Sequence, residues 1–221
     1  YPIVFPDNGS GLPAALLGLE ADQNAYLADD GHWQATYIPS HIRRYPFAFT
    51  EAPGDTEANR FTIVFEANAP HFRDTNGHPV FTADGQLSEH MKRRVALLEE
   101  IQKKLPLTQR LVSDIDAAGL LVERVVCIRK PHGEEHRGVA QPVGDQGKPV
   151  DEKKLNAMPH EQFATLRDKG ALPLVYAHLL SWANFRQGPL GGKYPQSAQE
   201  SSYEDFNLLF ESDTLDLSGI E

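Results

Sequence analysis

The longest helical pattern in the chain runs from Ser88 to Gly119 and constrains the fold more than any other segment. Apolar residues recur every three or four positions along one helix face, at Met91, Val95, Leu98, Ile101 and Leu105. Ser88 can accept a hydrogen bond from an unpaired amide at the helix start, and Gly119 can adopt the left-handed conformation that ends a helix. Because Pro106 lacks an amide hydrogen, we expect a helix to about Leu105 and a kinked or separate one from Leu107 to Ala118.

The other segments group into strands before the long helix, two strands after it and further helices. Phe47 to Thr50 and Phe61 to Glu66 predict a hairpin, and Tyr1 to Phe5 predicts a short strand. Ala171 to Phe185 is the most apolar helix, which is too short to span a bilayer and is therefore expected to be buried. The sequence predicts an α+β fold, in which a mostly antiparallel sheet packs against a long kinked helix and a buried C-terminal helix. The remaining predicted elements are a hairpin at 23–33, a short helix or turn at 37–46, strands at 120–129 and 135–143, and helices at 151–156 and 159–169.

The formal net charge of −10 is unevenly distributed. Residues 188–221 carry seven acidic and one basic side chain, a net −6, and the remaining 24 acidic and 20 basic residues give −4. Without clustered Lys and Arg we expect no nucleic-acid partner. No run approaches the ~20 apolar residues of a membrane helix, so no membrane span is expected. The single cysteine, Cys127, excludes an internal disulfide and favours a cytoplasmic location over the alternative, the cell envelope.

The acidic end of the chain predicts a separate segment. Residues 1–187 are expected to form the α+β domain, and residues 188–221 a linker followed by an acidic amphipathic tail. In the tail, Ser201 and Ser202 each precede an acidic residue by three positions, a helix-start signal. One helical face then carries four apolar residues, Tyr203, Phe206, Leu209 and Phe210. Such a helix can dock into an apolar groove with basic edges on a partner, or it can pack on its own body and complete the core.

The segment 132–136 carries the sharpest metal-binding pattern. It fits H-x-x-E-H, in which two histidines lie one turn apart on a helix, and the candidate ligands are His132, Glu134 and His136. The flanking Pro131 disfavours a helix, so a solvated turn is the competing interpretation. His132 and Glu134 also fit half of a two-histidine, one-carboxylate iron site, with a distant histidine such as His178 as the third ligand.

Other side chains have both a functional and a structural interpretation. His71, Asp74 and His78 crowd one loop that could hold a metal, but its Asn-Gly pair already predicts a turn. His178 is expected to be a hydrogen-bonded core histidine, and Cys127 a small buried apolar residue. Arg43 and Arg44 could bind an anionic partner or pair with carboxylates of the body.

Several short motifs occur in order between the start of the chain and about Phe185. They are YPIVF at 1–5, ALLGL at 15–19, QN at 23–24, YIP at 37–39 with IRRYPF at 42–47, G-x-P-x-F at 77–81, AGLL at 118–121, KLN at 154–156, and GAL at 170–172 leading to YAHLLS at 176–181. With these motifs, the sequence resembles the SapC-like family of bacterial proteins, which is named for an association with S-layer gene clusters. The motifs keep their order and approximate spacing over about four-fifths of the chain. The acidic tail lies outside the resemblance.

The resemblance implies an accessory protein of a surface-layer, export or modification system, and it brings no established catalytic motif. Our leading hypothesis is a non-enzymatic protein without a cofactor that binds a protein or peptide partner. Its candidate contact residues are Arg43, Arg44, Tyr203, Phe206, Leu209 and Phe210. The alternatives are an iron- or zinc-dependent enzyme that uses the loop histidines, and a structural surface-layer component. The sequence leaves the oligomeric state open.

Overall fold

The structure is a computed structural model that describes residues 1–18, 23–51, 61–73, 76–122, 127–128, 141–142 and 147–193. The helices are α1 Ser40–Arg43, α2 Glu89–Ala117, α3 Glu152–Asn156, α4 His160–Asp168, α5 Leu172–Ser181, α6 Asn184–Gln187 and α7 Pro189–Lys193. The strands of these residues form antiparallel pairs: β1 Ile3–Val4 with β2 Ala14–Ala15, β3 Phe47–Glu51 with β4 Phe61–Phe65, and β5 Cys127–Ile128 with β6 Gln141–Pro142. The predicted α+β class is confirmed, and its strands lie in separate pairs.

The long helix α2 has the ends that the sequence predicts. The Ser88 hydroxyl accepts a hydrogen bond from the Met91 amide at 3.2 Å, and Gly119 follows the helix with a φ of +70°. The helix continues across Pro106, so the alternative of a separate second helix is wrong. Because proline has no amide hydrogen, one carbonyl oxygen in the preceding turn of α2 lacks its N–H donor. Pro106 is exposed, so water can donate a hydrogen bond to that oxygen instead.

The main core lies where the second half of α2 meets the C-terminal helices. Its buried residues are Phe5, Val112, Ile115, Leu120, Val150, Leu155, Leu166, Ala171, Leu172 and Val175. Each large apolar side chain that is fully buried contributes about 1.5–3 kcal/mol of transfer free energy. Because these residues come from both ends of the chain, this core joins the first strand to α5.

A hydrogen-bonded histidine joins the same elements. His178 Nδ1 lies 2.8 Å from the Ile3 carbonyl oxygen, and its Nε2 accepts from the Val150 amide at 3.1 Å. The Ile3 amide donates to Ser181 Oγ at 2.8 Å. Burial lowers the pKa of His178 to about 4, so the ring is neutral and donates from Nδ1. The prediction of a hydrogen-bonded core histidine is confirmed, and both ring nitrogens already have partners.

A second, smaller core lies under the last described helix. Leu190 of α7 is buried against Ala25 and Tyr26, and Tyr1 and Trp33 pack around them. Composition predicts a linker from Gly188, but the chain stays packed to the end of this helix. The division into segments at residues 187 and 188 stays a prediction.

Most of the shorter elements lie where the sequence predicts them. A bridge between Leu27 and Trp33 closes the hairpin at 23–33. Asp151 caps α3 by accepting a hydrogen bond from the Lys154 amide at 3.1 Å. Cys127 lies in a strand that pairs across to residues 141–142, which agrees with the predicted pairing of the two strands after α2.

Candidate functional site

Strands β3 and β4 bring phenylalanines together on one side of a hairpin. Phe47 pairs with Phe65 and Phe49 with Ile63, and side chains two residues apart share a face. The Phe72 ring joins them from the turn that follows β4. We call this surface the aromatic face, and it consists of Phe47, Phe49, Phe61, Ile63, Phe65 and Phe72.

The rings of the aromatic face pack on one another, and one of them, Phe65, is exposed while the others are partly buried. The centroid of the Phe72 ring lies 5.1 Å from that of Phe65 and 5.8 Å from that of Phe47, with both pairs edge-on. Phe49 and Phe61 form a second pair at 5.8 Å. Such pairs contribute about 0.5–1.5 kcal/mol beyond burial, so they fix the geometry of the face. Phe65 is nevertheless 58% exposed, a large value for an apolar side chain with two ring contacts.

Three arginines border the aromatic face, and we call Arg43, Arg44 and Arg73 the basic edge. Arg43 ends α1, Arg44 follows it, and the Phe47 amide donates to the Arg44 carbonyl oxygen at 2.9 Å. Arg94 of α2 donates to the Arg43 carbonyl oxygen at 3.3 Å, which holds the end of α1 against the long helix. Arg73 directly follows Phe72 in the chain. The backbone therefore fixes two arginines at the start of the hairpin and one at its end.

The basic edge is a local excess of positive charge on an acidic chain. Residues 40–51 and 61–73, which include all of β3 and β4, contain three arginines and two carboxylates, Glu51 and Glu66, a net +1, whereas the whole chain carries −10. Burial and the adjacent Arg44 lower the pKa of His41, so the guanidinium groups supply this charge at neutral pH. Arg43 lies near enough to Glu100 of α2 to help lower the pKa of that carboxyl, and Arg44 Nη2 lies 3.5 Å from His41 Nε2.

A second exposed apolar strip lies on α5. Leu180 is 76% exposed and Tyr176 is 45% exposed on the side of α5 that faces away from the core. Residues 172–181 contain no Asp, Glu, Lys or Arg, so the strip has no charged side chains of its own. The aromatic face has more rings and charged neighbours, and it therefore has more features that could select a partner.

The histidines of the 71–78 loop do not meet at one point. The His71 ring packs edge-on against Tyr45 at 5.2 Å, whereas His78 stacks on His90 of α2 at 4.5 Å. Asp74 lies outside the described residues. Across the part of the chain that the structure describes, no three His, Cys, Asp or Glu side chains are grouped to hold a metal ion.

Two predicted groups of site residues lie outside the described residues. They are the metal candidates His132, Glu134 and His136, and the tail residues Tyr203, Phe206, Leu209 and Phe210. Of the partner-binding candidates, Arg43 and Arg44 lie within the described residues, at the end of α1 and three residues before β3.

Sequence reasoning missed the aromatic face as a candidate site. The alternation of apolar and polar residues in β4 predicts a half-buried strand. It does not show whether another element of the fold packs on the apolar side of that strand. The available signal is the density of phenylalanine, since five of the residues between 47 and 72 are Phe.

The protein belongs to the α+β class, because its domain combines several helices with small antiparallel strand pairs. The SapC family model matches residues 1–187, and the chain belongs to the SapC family. No curated protein and no solved structure matches the chain. Among the described residues, none of the helices has the length and apolar content needed to cross a bilayer.

Proposed function

We propose that this SapC-family chain is an accessory protein that binds a protein or peptide partner through the aromatic face and its basic edge. The observation that carries the proposal is the exposure of Phe65, at 58%, within a cluster of packed rings. Exposed apolar clusters bordered by polar groups are typical of interaction sites. Rigid aromatic side chains and arginines also contribute much of the binding energy of protein interfaces.

The chemistry of the surface favours an acidic partner segment with apolar side chains. Guanidinium groups bind carboxylates through two parallel hydrogen bonds, and the basic edge offers three of them beside the rings. Phenylalanine rings offer their edges and faces to aromatic or aliphatic residues of the partner. We infer that the partner belongs to a surface-layer, export or modification system, which is the setting that the family name suggests.

Photo-crosslinking in cells of the source organism tests the proposal. Phe65 is replaced by p-benzoyl-L-phenylalanine in the full chain, and the matched control places the same probe at Leu107, which is exposed on α2. We expect one specific adduct from position 65 and none from position 107. Adding Arg43→Glu and Arg44→Glu should remove the adduct, because the reversed charges repel an acidic partner.

The result that contradicts the proposal is a probe at position 65 that captures nothing specific. An adduct that survives both charge reversals equally contradicts the proposed acidic chemistry of the partner. Circular dichroism of each variant confirms that the chain has folded, so that a lost adduct reports binding.

A metal-dependent enzyme is the second candidate function, and the histidine pattern at 132–136 favours it. Protein purified without chelator would then contain about one iron or zinc ion per chain, and a His132→Ala, His136→Ala variant would lose it. A chain that holds neither metal and has no affinity for either rules out this candidate.

A further inference from the structure

We infer that the aromatic face binds the acidic segment 201–210 of the same chain, an inference that rests on the proposed function. The segment presents Tyr203, Phe206, Leu209 and Phe210 on one helical face, as its sequence predicts. The body presents the exposed Phe65 ring, which packs against the partly buried rings of Phe47 and Phe72. An amphipathic helix that lies with its apolar side on such a surface is a common mode of peptide recognition.

The charges of the two surfaces are complementary. Residues 201–216 contain five acidic and no basic side chains, whereas the hairpin region at 40–51 and 61–73 has three arginines, two carboxylates and a net charge of +1. Glu204 and Asp205 lie between Tyr203 and Phe206, so carboxylates flank the apolar residues of the segment as arginines flank the rings. The α5 strip has no charged residue of its own to match these carboxylates.

One aromatic cluster connects α7 to the segment that leads to the basic edge. Leu190 of α7 is buried in the small core that contains Tyr26, and Tyr1 packs against that core. The Tyr1 hydroxyl donates to the Tyr37 carbonyl oxygen, only three residues before α1. Both α7 and the segment leading to the basic edge are therefore held by one aromatic cluster.

The tether between α7 and residue 201 sets how far the acidic segment can reach. From Lys193 to Ser201 the chain has eight Cα–Cα steps, which span at most about 28 Å. From Tyr37 to Arg44 the chain has seven Cα–Cα steps. The residues of α1 each advance only about 1.5 Å along the helix axis, so this part of the path is shorter than an extended chain. A helix over residues 203–210 would measure about 12 Å, which fits along five-residue strands of about 17 Å.

Photo-crosslinking within the full chain tests this inference. Phe206 is replaced by p-benzoyl-L-phenylalanine, and the matched control places the probe at Leu208, which falls off the apolar side of the helix. Mass spectrometry then locates the adducts. We expect position 206 to react with peptides from residues 43–49 or 61–73 of the same molecule, with a yield that does not change on dilution.

Charge-reversal variants form the second part of this crosslinking experiment. Arg43→Glu with Arg44→Glu should lower the yield of this adduct about tenfold, whereas Arg110→Glu with Arg167→Glu makes the same charge change on α2 and α4 and should leave it unaltered. An adduct on α5 near Tyr176 would overturn the inference. So would an adduct between two chains that grows with concentration, or a yield no higher than that of the Leu208 control.

The two crosslinking experiments separate this inference from the proposed function. If the probe at Phe65 captures a partner but the probe at Phe206 never reaches the hairpin, only the binding of the acidic segment fails. If the probe at Phe206 reaches the hairpin but no partner is captured, the surface serves its own chain and the accessory function fails.

Discussion

At the scale of single residues, His178 links the stability of the protein to pH. Its folded pKa of about 4 lies below the ordinary value of 6.5, because burial disfavours the charged ring. The unfolded chain therefore takes up the proton first, and stability falls as the pH decreases from about 6.5 to about 4. We expect His178 alone to reduce the free energy of unfolding by about 2 kcal/mol between pH 7.5 and pH 5, measured by urea titration.

The matched comparison for this effect is His178→Gln. Glutamine can offer a donor and an acceptor but has no proton to gain, so this variant should be less stable at pH 7.5 and should lose most of the slope between pH 7.5 and pH 5. An unchanged slope in the His178 variant would contradict a lowered pKa.

Tyr26 offers a second test at the residue scale. Its side chain is 2% exposed, and its hydroxyl has no hydrogen-bond partner among the described residues. Removing an unpaired buried hydroxyl costs little, so Tyr26→Phe should change the free energy of unfolding by less than about 0.5 kcal/mol or stabilise the chain. Burial and the nearby Tyr1 and Tyr37 hydroxyls raise the pKa of Tyr26 to about 12, which keeps it neutral in this measurement.

Tyr1 provides the control within the same ring cluster. The Tyr1 hydroxyl accepts from Trp33 Nε1 at 2.7 Å and donates to the Tyr37 carbonyl oxygen. Tyr1→Phe should therefore destabilise the chain by about 1 kcal/mol in the same denaturant titration. A loss from Tyr26→Phe as large as that from Tyr1→Phe would show that the Tyr26 hydroxyl has a partner.

At the scale of elements, Pro106 opposes the helix that contains it. The α2 helix runs from Glu89 to Ala117 without a break, although proline in a helix interior is about 3 kcal/mol less favourable than alanine. Because Pro106 is exposed, Pro106→Ala should raise the free energy of unfolding by about 1–3 kcal/mol. The neighbouring Leu107→Ala is the control and should have a small effect, since Leu107 is 48% exposed.

Thermal and urea unfolding of the Pro106→Ala variant measure this gain directly. A loss of stability would mean that the local geometry around Pro106 is needed for the packing of α2. In that case the proline would serve the tertiary structure at the expense of the helix.

The helices and hairpins could be predicted because their signals are local. Ser88 and Gly119 mark the ends of α2, and alternation in 61–65 marks β4, since caps and periodicity depend only on neighbouring residues. The continuation of α2 across Pro106 was not predictable, because packing of the second half of the helix outweighs the local preference of proline. The separate strand pairs were not predictable either, since pairing between distant strands depends on the tertiary arrangement.

The candidate site was predictable only in part. Adjacent arginines at 43 and 44 are visible in the sequence as an anion-binding candidate. The exposure of the Phe65 ring is not visible in the sequence. Alternation identifies which residues share a strand face, but it does not show whether another element packs on that face. His178 was predicted as a core residue from its apolar helix, although its partners, Ile3 and Val150, lie far away in sequence.

At the scale of the whole molecule, the described body is closed by contacts between its two ends. The Ile3 amide donates to Ser181 and the Val150 amide donates to His178, so α5 holds both the first strand and the segment before α3. Contacts this distant in sequence carry a large loop-closure entropy, so we expect them to form together with the packed core. We therefore expect both amides to exchange hydrogen only through global unfolding, with free energies equal to that from denaturant titration.

Native-state hydrogen exchange followed by NMR measures this cooperativity. Ser181→Ala removes the acceptor of the Ile3 amide and should lower the protection of both amides by the same amount, about 1–2 kcal/mol, because both report one transition. Gly31, whose amide bonds within an exposed turn, is the internal reference and should exchange much faster through local opening. If the variant weakens only the protection of Ile3, the first strand unfolds on its own. The body would then consist of a core from α2 to α5 with a detachable N-terminal strand.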